Sequence, residues 1–151
     1  MWVAPPTTRS DQAWTAQQAR NFTMAMEDMG IKAKYLVHDR DARFGRKFNG
    51  ILETSGARYV QIPRKSPNCN AYCESWVASV KRECLDHFVC FGEGHLDHIL
   101  QEYRRFYNHY RAHQGKGNAP LRRLPRMPKG GEVACESRLG GVLRHYHRRA
   151  S

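Results

Sequence analysis

Ile31-Lys32-Ala33-Lys34-Tyr35-Leu36-Val37-His38-Asp39-Arg40-Asp41 is the stretch on which the fold turns. Residues 31–37 are β-rich and largely apolar, and the run stops at a polar loop bearing two acids. That pattern reads as a buried strand leading into a turn. Upstream, Trp14, Ala19, Phe22, Met26 and Met29 recur near helical spacing, with Ser10 or Asp11 as cap and Gly30 as stop, which predicts a helix over 12–29. Downstream, Phe44, Phe48, Ile51 and Leu52 share one face of a second helix over 45–55, ended by Gly56. Arg58-Tyr59-Val60-Gln61-Ile62 then forms a second short strand closed by Pro63. Helix, strand, helix, strand is the rhythm of an α/β sheet.

Beyond Pro63 the chain becomes helical. After the polar loop 64–70, Tyr72, Trp76, Val80 and Cys84 mark a stripe at four-residue intervals, widened by Val77 and Phe88, and predict a long helix over 69–88. Gly92 and Gly94 interrupt it. Leu96, Ile99, Leu100, Tyr103, Phe106, Tyr107 and Tyr110 then mark a helix over 95–110. The aromatic positions on that face read as core packing rather than base stacking. After Arg111 the prolines and the Gly130-Gly131 pair exclude long elements, and residues 138–149 read as a short strand or a frayed tail. The division expected is a core over 1–113 and a basic, Pro/Gly-rich tail over 114–151.

The 151 residues are 40% apolar and 26% charged, enough for one packed domain and against wholesale disorder. No run approaches the roughly 18 apolar residues of a membrane span, and the first residues lack the pattern of a secretory signal. The expected location is the bacterial cytoplasm, at the nucleoid. Net charge is +11, unevenly spread: residues 1–100 hold 13 basic and 11 acidic groups, and residues 101–151 hold 12 and 3. A basic block of this kind fits a polyanion such as nucleic acid, or serves as a solvated tail. The five cysteines, an odd number without a signal, argue for reduced thiols. Cys69, Cys73, Cys84 and His87 offer a loose zinc spacing. On one helix, however, Cys73 and Cys84 lie about 16 Å apart, too far to share an ion.

Two carboxylates are candidates for chemistry. Asp39 sits where a strand ends, the place where open α/β sheets gather their sites, and a carboxylate there suits a hard cation. Ordinary turn bonding by Asp39 and Asp41 is the plain alternative. Glu74 falls on the side of the long helix away from the apolar stripe, with Ala78, Lys81 and Leu85, and 34 residues separate it from Asp39. A solvated Glu and Lys is the plain alternative there.

The flanks of these residues form a pattern. Ile62-Pro63-Arg64-Lys65-Ser66-Pro67-Asn68-Cys69-Asn70-Ala71-Tyr72-Cys73-Glu74-Ser75 precedes Val80-Lys81-Arg82-Glu83-Cys84-Leu85-Asp86. Tyr107-Asn108-x2-Arg111-x-His113 follows, then Leu139-Gly140-Gly141-Val142-Leu143-x-His145-Tyr146. With the loop Val37 to Gly45, this resembles the catalytic core of bacterial insertion-sequence DDE transposases and retroviral-type integrases, over about residues 13–147. The resemblance implies a ribonuclease H-like α/β fold, helix-rich with a small mixed sheet. Asp39 corresponds to the second carboxylate of the family and Glu74 to the third. Lys81 corresponds to a helix lysine that contacts DNA. The family's cofactors are two Mg²⁺ or Mn²⁺ ions, which support nicking of transposon ends and strand transfer into target DNA. Arg40, Arg43, Arg64, Lys65, Lys81 and Arg82 are the DNA-contacting candidates near the site. Partners expected are transposon-end and target DNA, and either a second copy or an intact transposase.

The pattern also departs from the family. The first Asp, normally on the first strand tens of residues upstream of the second, has no counterpart with the right flanks: Asp11 suits a helix cap and Asp28 a helix end. The expectation is an incomplete core whose first strands are missing. A split or frameshifted gene, a misplaced start and a decayed remnant would each produce one. Two carboxylates hold a two-ion site poorly, so the chain alone is expected to be defective, and Asp41 is a weak candidate for a third oxygen. The alternative function is a non-enzymatic DNA-binding or dimerising remnant. Ala78 stands where some relatives carry a second basic residue.

Overall fold

The computed structural model describes residues 1–64, 67–122 and 130–149. They divide into two compact units, Thr7–Trp76 and Met1–Pro6 with Val77–Ser151. The fold is mixed α/β, with helices α1 (Gln12–Asp28), α2 (Arg46–Thr54), α3 (Ala71–Glu83) and α4 (Glu93–His109), and strands β1 (Tyr35–His38), β2 (Arg58–Gln61), β3 (Val133–Arg138) and β4 (Leu143–Arg148). Among the described residues no helix is long and apolar enough to cross a membrane.

In the first unit the same device is used twice. Asp11 caps α1, its carboxylate accepting the Trp14 N–H at 2.7 Å. At the other end Gly30 takes φ +65°, which lets its N–H reach Glu27 and the Ile31 N–H reach Met26. Gly56 at φ +82° repeats the closure after α2, its N–H on Glu53 and the Ala57 N–H on Leu52. Each closure satisfies two helix-end carbonyls and turns the chain into a strand. β1 and β2 pair in parallel, from Tyr35↔Arg58 to His38↔Gln61.

The core of this unit is Ala19, Phe48, Leu52 and Ala57, with Phe22, Ala33, Leu36, Phe44 and Ile51 packed against it. β1 is shorter than expected and is not a buried strand: Leu36 and His38 turn inward, whereas Tyr35 and Val37 are exposed. With two strands only, helices cover one face of this sheet, and alternate residues of β1 remain on the other.

The second unit begins within α3. That helix ends at Glu83, short of the expected 88, and a 3₁₀ turn over Leu85–His87 follows. Its stripe is also narrower: Val80 and Cys84 are buried, but Tyr72 is 96% exposed and Val77 is exposed. α4 matches its expected span and buries Ile99 and Tyr103. The chain's end is an antiparallel hairpin, β3 with β4, from Val133↔Arg148 to Arg138↔Leu143. Its turn takes Leu139, Gly140 and Gly141 through three successive positive φ values, 51°, 63° and 92°, which explains the two adjacent glycines. At its base a Cβ on Gly131 would meet the Arg149 carbonyl oxygen at 2.2 Å, so the position demands glycine. Among the described residues the strands form two two-stranded sheets, one parallel and one antiparallel, in place of the small mixed sheet expected. Sequence alternation did not reveal β3.

Leu52 has no exposed surface. Leu52→Ala is expected to cost about 2–5 kcal/mol, read as a lower denaturant midpoint with an unchanged slope.

Candidate functional site

Asp39 stands one residue past β1, at the C-terminal end of the parallel pair. The two strand ends are held side by side: the Ile62 N–H donates to the His38 carbonyl at 2.9 Å, and Arg40 Nε donates to the Ile62 carbonyl at 3.1 Å. His38 fixes the loop from inside. It is buried among Phe44, Phe48 and Tyr59, with ring centroids 4.9, 5.8 and 6.0 Å away, and its Nδ1 lies 2.6 Å from the Asp39 carbonyl oxygen. Its Nε2 has no partner among the described residues. Residue types alone place His38 at the start of the polar loop. The two-residue strand period shared with Leu36 is the signal that places it inward.

The loop is tied by its own carboxylates. Asp39 Oδ1 accepts the Asp41 N–H at 3.1 Å, a turn-type bond. Asp41 accepts the Arg43 N–H at 2.9 Å and the guanidinium twice, from Nε at 2.9 Å and Nη2 at 2.6 Å, while Arg43 Nη1 donates to Ser10 Oγ at 2.7 Å. These bonds hold the Asp41 carboxyl down at about 2. Asp41 is thus committed to Arg43, and Arg43 is committed in turn.

Glu74 is exposed in the first turn of α3, where a negative charge suits the helix N-terminus. Lys81 and Arg82 are exposed in its last turn, where cations suit the opposite end. Lys81 follows Glu74 by seven residues, about 10.5 Å of helix rise. Arg64 is exposed in the turn after β2, and Lys65 lies outside the described residues. Asp11 and Asp28 belong to the ends of α1, not to a strand. Among the described residues no group of three or more His, Cys, Asp or Glu side chains is arranged to hold a metal ion, and this applies to the zinc spacing as well as to the carboxylates. Cys84 is buried, which pushes its thiol up to about 11.

Two motifs of the sequence meet at a different place. Glu83 accepts the Tyr103 hydroxyl at 2.9 Å and takes Arg111 through Nε at 2.8 Å and Nη2 at 2.6 Å. The Arg111 guanidinium lies 5.2 Å from the Tyr107 ring centroid, and the His113 ring meets Tyr107 edge-on at 4.8 Å. The Arg111 hydrogen bonds hold the Glu83 carboxyl below its ordinary range, and burial pushes the Tyr103 hydroxyl up, so it remains a donor. The Lys-Arg-Glu-Cys and Tyr-Asn-x2-Arg-x-His signatures are therefore two halves of one fastening.

Residues 55–120 match the family model of the integrase core domain. The matched segment supports an integrase or transposase catalytic-core domain, and it contains Glu74 but not Asp39. No curated protein matches the chain.

Replacing Arg43 by Ala should let the Asp41 carboxyl rise from about 2 toward its ordinary value of about 3.9, measured by carboxyl NMR titration. Arg111→Ala should cost about 2 kcal/mol, the scale of hydrogen bonds to a charged group. Because the native Glu83 pKa is depressed, its contribution is complete above the ordinary Glu value of about 4.3. It disappears as pH falls through the native value. The stability gap between wild type and Arg111→Ala should be full at neutral pH and close in acid.

Proposed function

We propose, from the integrase core domain match over residues 55–120, that the chain is a ribonuclease H-like integrase-core portion that binds DNA in integration or transposition. The match carries this reading. The α/β arrangement and the +11 net charge support it. On this reading residues 1–113 are the core portion and 114–151 a basic extension. By the family resemblance Asp39 and Glu74 would be its cation-binding and catalytic carboxylates. Arg40, Arg64, Lys65, Lys81 and Arg82 are its candidate DNA-contacting residues, and Arg43 is engaged by Asp41. Its partners on this reading are transposon-end and target DNA, and a second copy or an intact transposase.

The residues present do not fit the family's two divalent ions. Asp39 has one oxygen engaged by the Asp41 N–H, Asp41 is neutralised by Arg43, and no three-donor group gathers among the described residues. The second reading is a non-enzymatic DNA-binding or dimerising remnant.

A plasmid-nicking assay in Mg²⁺ and in Mn²⁺ tests the two readings. The expected result is little or no nicking by the chain alone. Strong nicking abolished by Asp39→Asn and by Glu74→Gln would restore the enzymatic reading, whereas nicking that survives both would remove the pair from the mechanism. DNA affinity should fall steeply with salt, on the order of 10³-fold between 50 and 200 mM if six or more phosphates are contacted. Affinity indifferent to salt overturns the DNA reading.

A further inference from the structure

The C-terminal hairpin separates its charges by face. Strand alternation puts Arg144, Tyr146 and Arg148 of β4 on the same side as their partners Ser137, Cys135 and Val133 of β3. All six are exposed, Tyr146 at 64%. The opposite side carries the hairpin's carboxylate: Glu136 pairs with Arg138 and stands across from His145. One face thus holds two guanidinium groups flanking a phenol ring and no acid.

Those two arginines are oriented but not neutralised. Arg144 Nε donates to the Gly141 carbonyl and Arg148 Nη1 to the Gly131 carbonyl, each at 2.9 Å. Neither forms an ion pair among the described residues, whereas Arg43, Arg105, Arg111 and Arg138 all do. Each therefore keeps N–H donors for an anion. Alternate strand residues are about 6.6 Å apart, so Arg144 and Arg148 are rooted about 13 Å apart along the β4 backbone with Tyr146 midway. An open cleft of about 580 Å³ adjoins the strand, lined by Phe106, Tyr110, Arg111, Pro120, Arg144 and Tyr146. The Tyr110 and His145 rings stack at 3.8 Å beside it. Glu83, also in its lining, is already taken by Arg111.

Guanidinium groups without a carboxylate, alternating with an exposed π face, suit a strand whose bases are unpaired. Phosphates take the forked donors, and a base stacks on the ring whatever its identity. Duplex DNA keeps its base faces stacked inside, and an acidic peptide has nothing to lay on the ring. We infer that this hairpin face binds single-stranded DNA, Tyr146 stacking on an unpaired base while Arg144 and Arg148 hold the flanking phosphates.

The inference deepens the DNA reading above and rests on it. The test uses the full chain and fluorescence anisotropy with labelled oligo(dT), a duplex of the same length, the matching RNA strand and polyglutamate as competitor. Tyr146→Ala should weaken oligo(dT) binding on the order of ten-fold, Tyr146→Phe should restore it, and duplex binding should change far less. Arg144→Ala with Arg148→Ala should flatten the single-strand salt slope by about 1.4, the share of two phosphates. Thermal melts confirm that these surface variants fold. Oligo(dT) bound equally by wild type and Tyr146→Ala overturns the inference, as does tighter binding of RNA or displacement by polyglutamate. If the hairpin variants leave oligo(dT) binding intact while the duplex still binds, this inference alone falls. If neither DNA form binds, the DNA reading falls with it.

Discussion

Glu83 receives three hydrogen bonds from two residues, Tyr103 and Arg111, that lie 20 and 28 positions further along the chain. A carboxylate with a quarter of its surface exposed is tolerable only if its charge is met, and the bidentate guanidinium meets it. Because Tyr103 is fully buried, its hydroxyl must find a partner as well. One acid therefore fixes the end of α3, the middle of α4 and the exit from α4 together. From there Arg111 stacks on Tyr107 and Tyr107 meets His113, whose backbone pairs with Ala119. The second unit is arranged around this point.

A second ionic link places the hairpin against α4. Arg138 bridges Glu102 of the helix and Glu136 of its own strand. With both acids spent on Arg138, the outer face of β4 is left with positive charge alone. The separation follows from pairing and parity: a carboxylate and the cation that neutralises it lie on the inner face, and the alternate residues on the outer face have no acid opposite them.

In the first unit the carboxylate loop is held by its own side chains and by a buried histidine. Those bonds give Asp39 a defined position at the strand end, and they also engage Asp41. A turn built this way is held by its own hydrogen bonds. The integrase-core match begins after this loop and runs through Glu74, Glu83, Arg111 and His113. It therefore covers the fastening in full and the carboxylate pair by half.

Local signals fared well where the chain answers to its neighbours in sequence. The helical periods around Phe22, Phe48 and Tyr103 were legible, as were the cap at Asp11 and the stops at Gly30 and Gly56, because each depends on contacts within a turn or two. The net positive charge of the last third was equally plain. Tyr72 was misread because periodicity shows which residues share a face and not whether anything covers that face. β3 was missed because a hairpin strand is set by its partner across the turn, here Leu143–Arg148. The amino-acid sequence by itself determined where the four helices lie, the stops at Gly30 and Gly56, the carboxylate loop and the resemblance to an integrase core. Only the tertiary structure decided that Glu83 belongs to Arg111, that Asp41 belongs to Arg43 and that Arg144 and Arg148 have no acid partner among the described residues, because pairing between charges is settled by distance in space and not by distance along the chain.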